Sequence, residues 1–399
     1  MKNTDKKAYL KWGSIICLAV LLSGAIAYHL FFSSNLPVLD IQTEDIQWDK
    51  KTSCIIKYNN QNYPARIKYR GGMSSKYNKH SFTIELDGKV SLAGLPQDDD
   101  YILNANYIDK TMMRHKICYD LFREMNPKKN IAAQCAYVNV SINGEYEGLY
   151  VLMEKITAKK AGLDKKDTMS MLFKDPPVFW GENRITPQEP DNYFQQKYPK
   201  IKRCDKTYYI EDFMRFLFQS DEAGFADSIS RWIDLENVMD WHLLLLFANN
   251  DDGLMKNFYL YKASSSTPFR IAIWDYDHSF GRDCDNELNL INSTVDVNKC
   301  ILLKRLGEIP CLHYNELLQQ RWQYLRKAGI FSQQHFEQLI QQNHRLIRHD
   351  VRKNFNRWPV DASYYFDDSD YKRELDIMRQ YMQMRLPQLD TYFDSLAVH

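Results

Sequence analysis

The chain has 399 residues, of which 44% are hydrophobic and 26% charged, so it is long enough for one large domain or two lobes with apolar cores. The charges of its 52 basic and 51 acidic side chains nearly cancel, so the chain lacks the excess of positive charge that is typical of proteins that bind nucleic acid. Phosphate or glycan partners must therefore be argued from local sites.

The beginning of the chain predicts a membrane span. A lysine-rich cytoplasmic segment, residues 1–11, precedes residues 12–32, which carry no formal charge. About 20 apolar residues cross a bilayer as a helix, and the lysine excess before them keeps the N-terminus in the cytoplasm. The alternative is a signal peptide cleaved after Ala27, because Ala25-Ile26-Ala27 resembles a small-x-small site. We favour a single-pass anchor in the cell membrane, and both interpretations make residues 35–399 extracytoplasmic.

Residues 36–160 predict a strand-rich N-terminal lobe. Apolar and polar residues alternate on both sides of "NNQN" and again around Asn143-Gly144, which is typical of two β-hairpins. "HSFTIEL" predicts a further strand. "YIDKTMMRHKICYDLFREMNP" has the apolar spacing of a helix, which Asp109 caps and Pro127 ends.

The remainder of the chain is mostly helical in its pattern. Residues 161–205 are polar and irregular, and we predict an insertion or loop there. Residues 206–399 predict a helical C-terminal lobe, interrupted by the strands "NFYLY" and "FRIAIW" on either side of a Ser-rich turn. The predicted fold class is therefore α+β, with strands in the N-terminal half and helices in the C-terminal half.

Two motifs flanking this last hairpin carry oxygen ligands. "NNDDGLMKN" precedes its first strand and "WDYDHSFG" ends its second, so Asp252, Asn257, Asp275 and Asp277 are expected to lie together. Mg²⁺ prefers such oxygens, with waters and substrate phosphates completing its shell. In protein kinases one Asp accepts the substrate hydroxyl proton, an Asn five positions on binds metal, and a second Asp arrives on the following strand. Asp252 has that spacing and Asp251 misses it by one, although each motif alone is also typical of a hydrogen-bonded turn.

"RGGMSSKYNK" adds a candidate phosphate-binding loop between two predicted strands. Glycines let backbone N–H groups approach phosphates closely, and Arg70, Ser74 and Ser75 can donate hydrogen bonds to them. Lys79, at the start of the next predicted strand, is placed to reach an α- or β-phosphate. The alternative is an ordinary Gly-Gly turn followed by an exposed lysine.

Six motifs occur in a fixed order along the chain: "RGGMSS", "LNANYIDKTMMRHKICYDL", "INGEYEGLYVLMEKI", "NNDDGLMKNFYLY", "IWDYDHSFG" and "LLKRLGEI". Together, over residues 36–390, they resemble the CotH kinase family. That family has a divergent protein-kinase-like fold and phosphorylates Ser or Thr of secreted or surface proteins. The resemblance therefore implies a bilobal kinase-like fold with ATP and Mg²⁺ in its cleft.

The resemblance also implies roles for the catalytic loop. Asp252 would be the catalytic base, with Asp251 as the alternative. Asn257 and Asp275 would hold metal, assisted by Asp277.

Further roles in the N-terminal lobe follow from the same resemblance. Lys79 would contact phosphate, with Lys68 on the preceding strand as its competitor, and Glu154 and Lys155 would lie at the hinge near the adenine. Arg114 would face the cleft, with packing or a surface ion pair as the alternatives. The chain departs from the kinase pattern because no clear Glu in the predicted helix pairs with Lys79.

Three functions compete on these grounds. The first is an anchored extracytoplasmic kinase that transfers the γ-phosphate of ATP to a Ser or Thr hydroxyl of a surface or secreted protein. The second is a catalytically inert surface protein that keeps the fold to bind a partner, glycan or nucleotide. The third, metal-assisted phosphoester hydrolysis, normally needs more metal-binding His or Asp than this chain groups together. Because all the acidic ligands are present, the kinase is favoured.

Overall fold

The computed structural model describes residues 34–180, 194–282, 293–360, 362 and 368–396. The predicted lysine-rich segment 1–11 and the predicted membrane span 12–32 lie outside these residues. Within the part of the chain that is described, no helix combines the length and the apolar character needed to cross a bilayer.

The N-terminal half forms a closed barrel. Its strands are β1 Val38–Thr43, β2 Thr52–Tyr58, β3 Gln61–Arg70, β4 Ser81–Val90, β5 Asp98–Asn104, β6 Cys135–Ile142 and β7 Glu145–Glu154. They pair in the order β1-β2-β3-β4-β5-β7-β6, and the parallel pairing of β1 with β6 closes the circle. Alternate side chains such as Ile56, Ile67 and Ile84 are fully buried inside, so the barrel is filled by apolar residues.

Both predicted hairpins are confirmed. The turn between β2 and β3 is Asn59-Asn60, with φ of +49° and +60°, and the turn between β6 and β7 is Asn143-Gly144, with φ of +52° and +86°. Two consecutive residues with positive φ form the turn whose twist matches that of the flanking strands.

The predicted helix is α1, Arg114–Met125, and it ends just before Asn126-Pro127 as expected. It begins five residues later than Asp109, yet the Asp109 carboxylate still accepts the backbone N–H of Arg114 at 3.0 Å. Asp109 therefore caps the helix from a preceding turn rather than from the adjacent position.

A second sheet lies beside the barrel. Its strands are β8 Met171–Lys174, β9 Gln196–Tyr198, β10 Phe258–Lys262 and β11 Arg270–Ile273, in the order β11-β10-β8-β9. The hairpin of β10 and β11 is the predicted one, whereas β8 and β9 lie in the stretch predicted as an insertion or loop. The reason is a short apolar run, Met171 to Phe173, which is almost fully buried against β10 despite its polar surroundings.

The C-terminal half is helical, which confirms the α+β prediction with strands first and helices after. Its helices are α2 Thr207–Gln219, α3 Glu222–Trp232, α4 Leu235–Ala248, α5 Asp252–Met255, α6 Ile301–Glu308, α7 Tyr314–Lys327, α8 Gln333–Ile347, α9 Val351–Arg357 and α10 Tyr371–Ser395. Helix α4 is the centre of this half, because every residue from Trp241 to Ala248 is buried. A helix that is buried on all sides is a core helix, and α4 places Asn249 and Asn250 at its C-terminal end in the interior.

Candidate active site

An open cavity of about 720 Å³ lies where the barrel meets the second sheet and the loop after α4. The carboxylates on its wall are Asp252, Asp275 and Asp277, and the cationic side chains are Lys68, Arg70, Lys79, Lys174, Lys197 and Lys256. Both sets come from separate segments of the chain, so the cavity exists only in the folded protein.

Each of the four residues in "NNDD" makes different contacts. Asn249 ends α4 with a left-handed φ of +54°, and its side chain accepts the backbone N–H of Val295 at 3.0 Å. The Asn250 side chain accepts the N–H of Gly253 at 2.6 Å. A Cβ at Gly253 would lie 3.0 Å from the Tyr276 hydroxyl, so glycine lets the loop pack tightly there. The two amides therefore shape the loop, which leaves the two carboxylates for other contacts.

The two carboxylates face different surroundings. Asp252 lines the cavity, and its Oδ2 lies 3.1 Å from Lys256 Nζ and 3.4 Å from Asn257 Nδ2. Asp251 does not line the cavity: its side chain is 52% exposed and its Oδ1 lies 3.4 Å from Lys299 Nζ. Of the pair, Asp252 has access to a molecule bound in the cavity.

Hydrogen bonds to backbone groups hold the predicted metal-binding residues Asn257 and Asp275 together at the base of the β10–β11 hairpin. Asn257 and Asp275 both have left-handed backbones, with φ of +64° and +58°. Asn257 Nδ2 donates to the Asp275 carbonyl at 3.3 Å, and the Asn257 carbonyl accepts the N–H of Trp274 at 3.0 Å. Asp175, which follows β8, accepts the N–H of Asn257 at 2.8 Å. Strand β8 thus helps to hold the site as well as the sheet.

Asp275 and Asp277 lie close to each other and to a histidine that sequence reasoning missed. Ligand atoms of His115, Asp275 and Asp277 all lie within 4.8 Å of one another, a grouping that can hold a metal ion. Asp275 is half exposed toward the cleft, and enclosure by the cleft walls together with repulsion from Asp277 raises its pKa. No local signal marks His115, because it reaches the loop across more than 150 residues of sequence.

A cluster of buried ion pairs lies at the start of α1 and contacts the "WDYDHSFG" loop. Arg114 is fully buried, with Nη1 2.6 Å from Asp109 Oδ1 and Nη2 2.9 Å from Glu374 Oε2. Its Nε donates to the Ser279 carbonyl at 3.0 Å, and Arg282 Nη2 lies 2.7 Å from the other Glu374 oxygen. Arg114 therefore does not face the cleft; it ties "WDYDHSFG" to α1 and to the first turn of α10.

The Gly-rich loop forms the opposite wall. Arg70 and Ser74 line the cavity, and the Arg70 guanidinium lies 5.5 Å from the centre of the Trp274 ring. Ser75 does not line it, because its hydroxyl donates to the Gly72 carbonyl at 2.7 Å within the turn. Gly71 has φ +144°, and a Cβ there would collide with the Ser74 side chain. The loop conformation therefore requires glycine at this position.

The two candidate phosphate-binding lysines differ in what they contact. Lys79 is 1% exposed, and its ammonium donates to the carbonyls of Ala105 at 2.8 Å and Leu149 at 2.5 Å. Burial lowers the pKa of Lys79 well below its usual range. Lys68 lines the cavity from β3. Lys79 thus holds two backbone segments together at the edge of the cavity, and Lys68 is the better placed of the two for a ligand.

The predicted hinge residues lie at the end of β7. The Glu154 carboxylate accepts the N–H of Gln134 at 2.8 Å and binds Lys160 at 2.5 Å, and Lys155 Nζ lies 3.4 Å from Asp100. Neither Glu154 nor Lys155 lines the cavity, whereas the preceding residue, Met153, does.

Comparisons with known proteins agree with the motif order. The family model described as CotH kinase protein matches residues 67–389. The chain is also similar to the inner spore coat protein H of Bacillus subtilis (strain 168), with 24% identity over 265 residues that cover 64% of this chain and 72% of the relative. The matched range contains the Gly-rich loop, α1 and both carboxylate motifs. The chain belongs to the CotH kinase protein family.

Proposed function

We propose that this chain is an ATP- and Mg²⁺-dependent protein kinase that acts on Ser or Thr of surface or secreted proteins. The observation that carries the proposal is the convergence of Asp252, Asn257, Asp275 and Asp277 with the Gly-rich loop on one cavity. A bilobal kinase-like arrangement, with the barrel as one lobe and the helical half as the other, is part of the same proposal.

The donor set fits a hard divalent cation. Asp275, Asp277 and Asn257 offer carboxylate and amide oxygens, the ligands that Mg²⁺ accepts beside phosphate. Burial, and then repulsion from Asp277, raises the pKa of Asp275, and a bound cation would offset both effects. When bound, the metal would neutralise charge on the transferring phosphoryl group.

The cationic wall suits a polyphosphate. Arg70 and Ser74 come from the Gly-rich loop, Lys68 from β3, and Lys174 and Lys197 from β8 and β9. Partial burial, and then the neighbouring Lys174, lower the pKa of Lys197, so a nearby anion would stabilise both charges. These residues would bind and align the phosphates of ATP, since alignment and charge stabilisation supply most of the catalysis in phosphoryl transfer.

Asp252 would act on the acceptor. Its carboxylate accepts the proton of the incoming hydroxyl as the hydroxyl oxygen bonds to the γ-phosphorus, the bond from that phosphorus to the β–γ bridging oxygen breaks, and ADP leaves. Lys256 Nζ, 3.1 Å from Asp252 Oδ2, would orient this carboxylate toward the acceptor. Asp251 is assigned no chemical part, because it does not line the cavity.

The proposal includes the location of the enzyme. The uncharged run at residues 12–32 and the lysines before it support an anchor that leaves the catalytic region outside the cytoplasm. Labelling of exposed cysteines Cys204 and Cys311 in intact cells with a membrane-impermeant maleimide tests this location. Labelling only after the cells are lysed would contradict it.

A thermal-shift titration of the full-length protein in detergent tests the nucleotide site. ATP with Mg²⁺ should raise the unfolding midpoint, since a ligand at a hundredfold excess over Kd stabilises the folded form by about 2.7 kcal/mol. Asp275→Ala should abolish the shift, and Asp212→Ala, on the exposed face of α2, should retain it. A shift without phosphate transfer would favour the inert nucleotide-binding protein, and no shift at millimolar ATP would refute the nucleotide site.

A further inference from the structure

His115 lies in the first turn of α1, is 2% exposed, and contacts the "WDYDHSFG" loop through both ring nitrogens. Its Nδ1 accepts the backbone N–H of Tyr276 at 2.9 Å. Its Nε2 lies 3.7 Å from Asp275 Oδ1 and 3.9 Å from Asp277 Oδ2. Proximity alone would make His115 the third ligand of a His/Asp/Asp metal site.

The hydrogen bond at Nδ1 argues against that assignment. A backbone N–H can only donate, so Nδ1 must present its lone pair to Tyr276 and carries no proton. A neutral imidazole then bears its proton on Nε2, the atom that faces the two carboxylates. To bind a metal through Nε2, the ring would have to move its proton to Nδ1, where it would oppose the N–H of Tyr276.

The preceding residue of the loop, Asp275, is held in the same way. Tyr119, one turn after His115 on α1, accepts the N–H of Asp275 through its hydroxyl at 2.8 Å. Residues four apart lie on one face of a helix, so α1 binds two successive backbone amides of the loop. One of them belongs to Asp275, whose φ of +58° is unfavourable for a residue other than glycine.

We propose that His115 is a positioning residue: it holds the loop that carries the metal-binding carboxylates and does not itself bind the metal. The neutral ring holds the Asp275-Tyr276 backbone through Nδ1 and directs its Nε2–H toward the carboxylates, which leaves their oxygens to the cation. An all-oxygen site takes a hard ion such as Mg²⁺ or Mn²⁺ in preference to Zn²⁺. This inference rests on the proposed metal–nucleotide site and goes beyond it in assigning His115 a positioning role in place of a ligand role.

Pulsed electron paramagnetic resonance of bound Mn²⁺ tests the ligand type directly. The full-length protein is loaded with Mn²⁺ and inorganic triphosphate, which contains no nitrogen, so any coupling of directly bound ¹⁴N must come from the protein. We expect no such coupling in the wild type. A strong ¹⁴N coupling that disappears in His115→Gln would overturn the inference while leaving the metal site intact. Failure of the wild type to bind Mn²⁺ would refute the proposed metal site and this inference together.

Two further variants test the positioning role. His115→Asn keeps an acceptor near the Nδ1 position, whereas His115→Phe keeps a ring without one. Loss of a group that orients metal ligands typically lowers metal affinity by about 10- to 100-fold. We expect His115→Phe to weaken Mn²⁺ binding in this range and His115→Asn to recover most of it. Equal weakening in both variants would contradict a role exercised through Nδ1.

Discussion

Replacing Asp252 by asparagine is expected to remove nearly all phosphate transfer, whereas the same change at Asp251 should leave it almost intact. Asparagine keeps the size of the side chain and removes its basicity. The two residues are adjacent in sequence, so Asp251→Asn is a matched control for effects on folding and on net charge.

The magnitudes follow from the surroundings of each carboxylate. Asp252 lines the cavity, and loss of a positioned general base typically costs about 10²- to 10⁴-fold in rate, or about 3–5 kcal/mol of transition-state stabilisation. Asp251 is 52% exposed and its Lys299 partner 50% exposed, and such surface pairs contribute at most about 1 kcal/mol to stability. We therefore expect at least a hundredfold separation between the rates of the two variants.

The assay is single-turnover transfer from radiolabelled ATP, followed on the full-length protein itself and on dephosphorylated casein as a generic acceptor. Nucleotide affinity is measured in parallel by thermal shift, because Asp252→Asn should bind ATP normally. Full transfer by Asp252→Asn together with loss of transfer in Asp251→Asn would refute the assignment of the base. Normal rates in both variants would refute a carboxylate base at either position.

Three further results are expected. His242 packs against Tyr314, and burial lowers the pKa of His242 to about 3 from its usual 6.5. The unfolded state therefore binds more protons than the folded state between these values, so stability decreases as the pH is lowered, by about 2 kcal/mol from pH 7 to pH 5. In chemical denaturation His242→Gln should lose this part of the pH dependence, and an unchanged slope would contradict the buried neutral ring. Arg114→Met should lower the free energy of unfolding by about 3–5 kcal/mol in urea titrations, because it leaves the buried Asp109 carboxylate without a cationic partner and Glu374 with Arg282 alone; a loss below about 1 kcal/mol would refute the buried ion cluster. Lys174→Ala combined with Lys197→Ala should weaken ATP binding about tenfold in calorimetry, whereas Lys304→Ala, at an exposed position of α6, should not. Equal ATP affinities of the wild type and the double variant would contradict a phosphate-binding role for β8 and β9.

The local parts of the fold could be predicted from the sequence. Asn143-Gly144 specifies its turn through the backbone freedom of two residues, and the apolar spacing of α1 identifies the helix within a few positions. The closed barrel could not be predicted, because the parallel pairing of β1 with β6 joins residues about 100 apart and leaves no periodic signal. Strand β8 could not be predicted for a related reason. Its apolar run is short, and only its pairing with β10 distinguishes it from a loop.

The site shows the same division. The five-residue spacing from Asp252 to Asn257 predicted two residues that the structure brings to one cavity, and Asp275 was expected beside them. The choice between Asp251 and Asp252 depended on which side chain faces the cavity, a property of tertiary packing. His115 was missed because its partners are distant backbone groups, which no sequence motif represents.

The contacts of Arg114 connect the chemistry of the site to the folding of the whole chain. Through Arg114, the loop residue Ser279 is linked to Asp109 before α1 and to Glu374 at the start of α10, more than 90 residues further on. A loop that carries a left-handed Asp275 is costly, by about 1–3 kcal/mol, and needs surrounding structure to hold it. That structure is complete only when α10 has docked, since Glu374 otherwise leaves the buried guanidinium without one of its two carboxylates. The carboxylates that would bind metal therefore depend for their positions on contacts with α1 and α10 as well as on the hairpin that carries them.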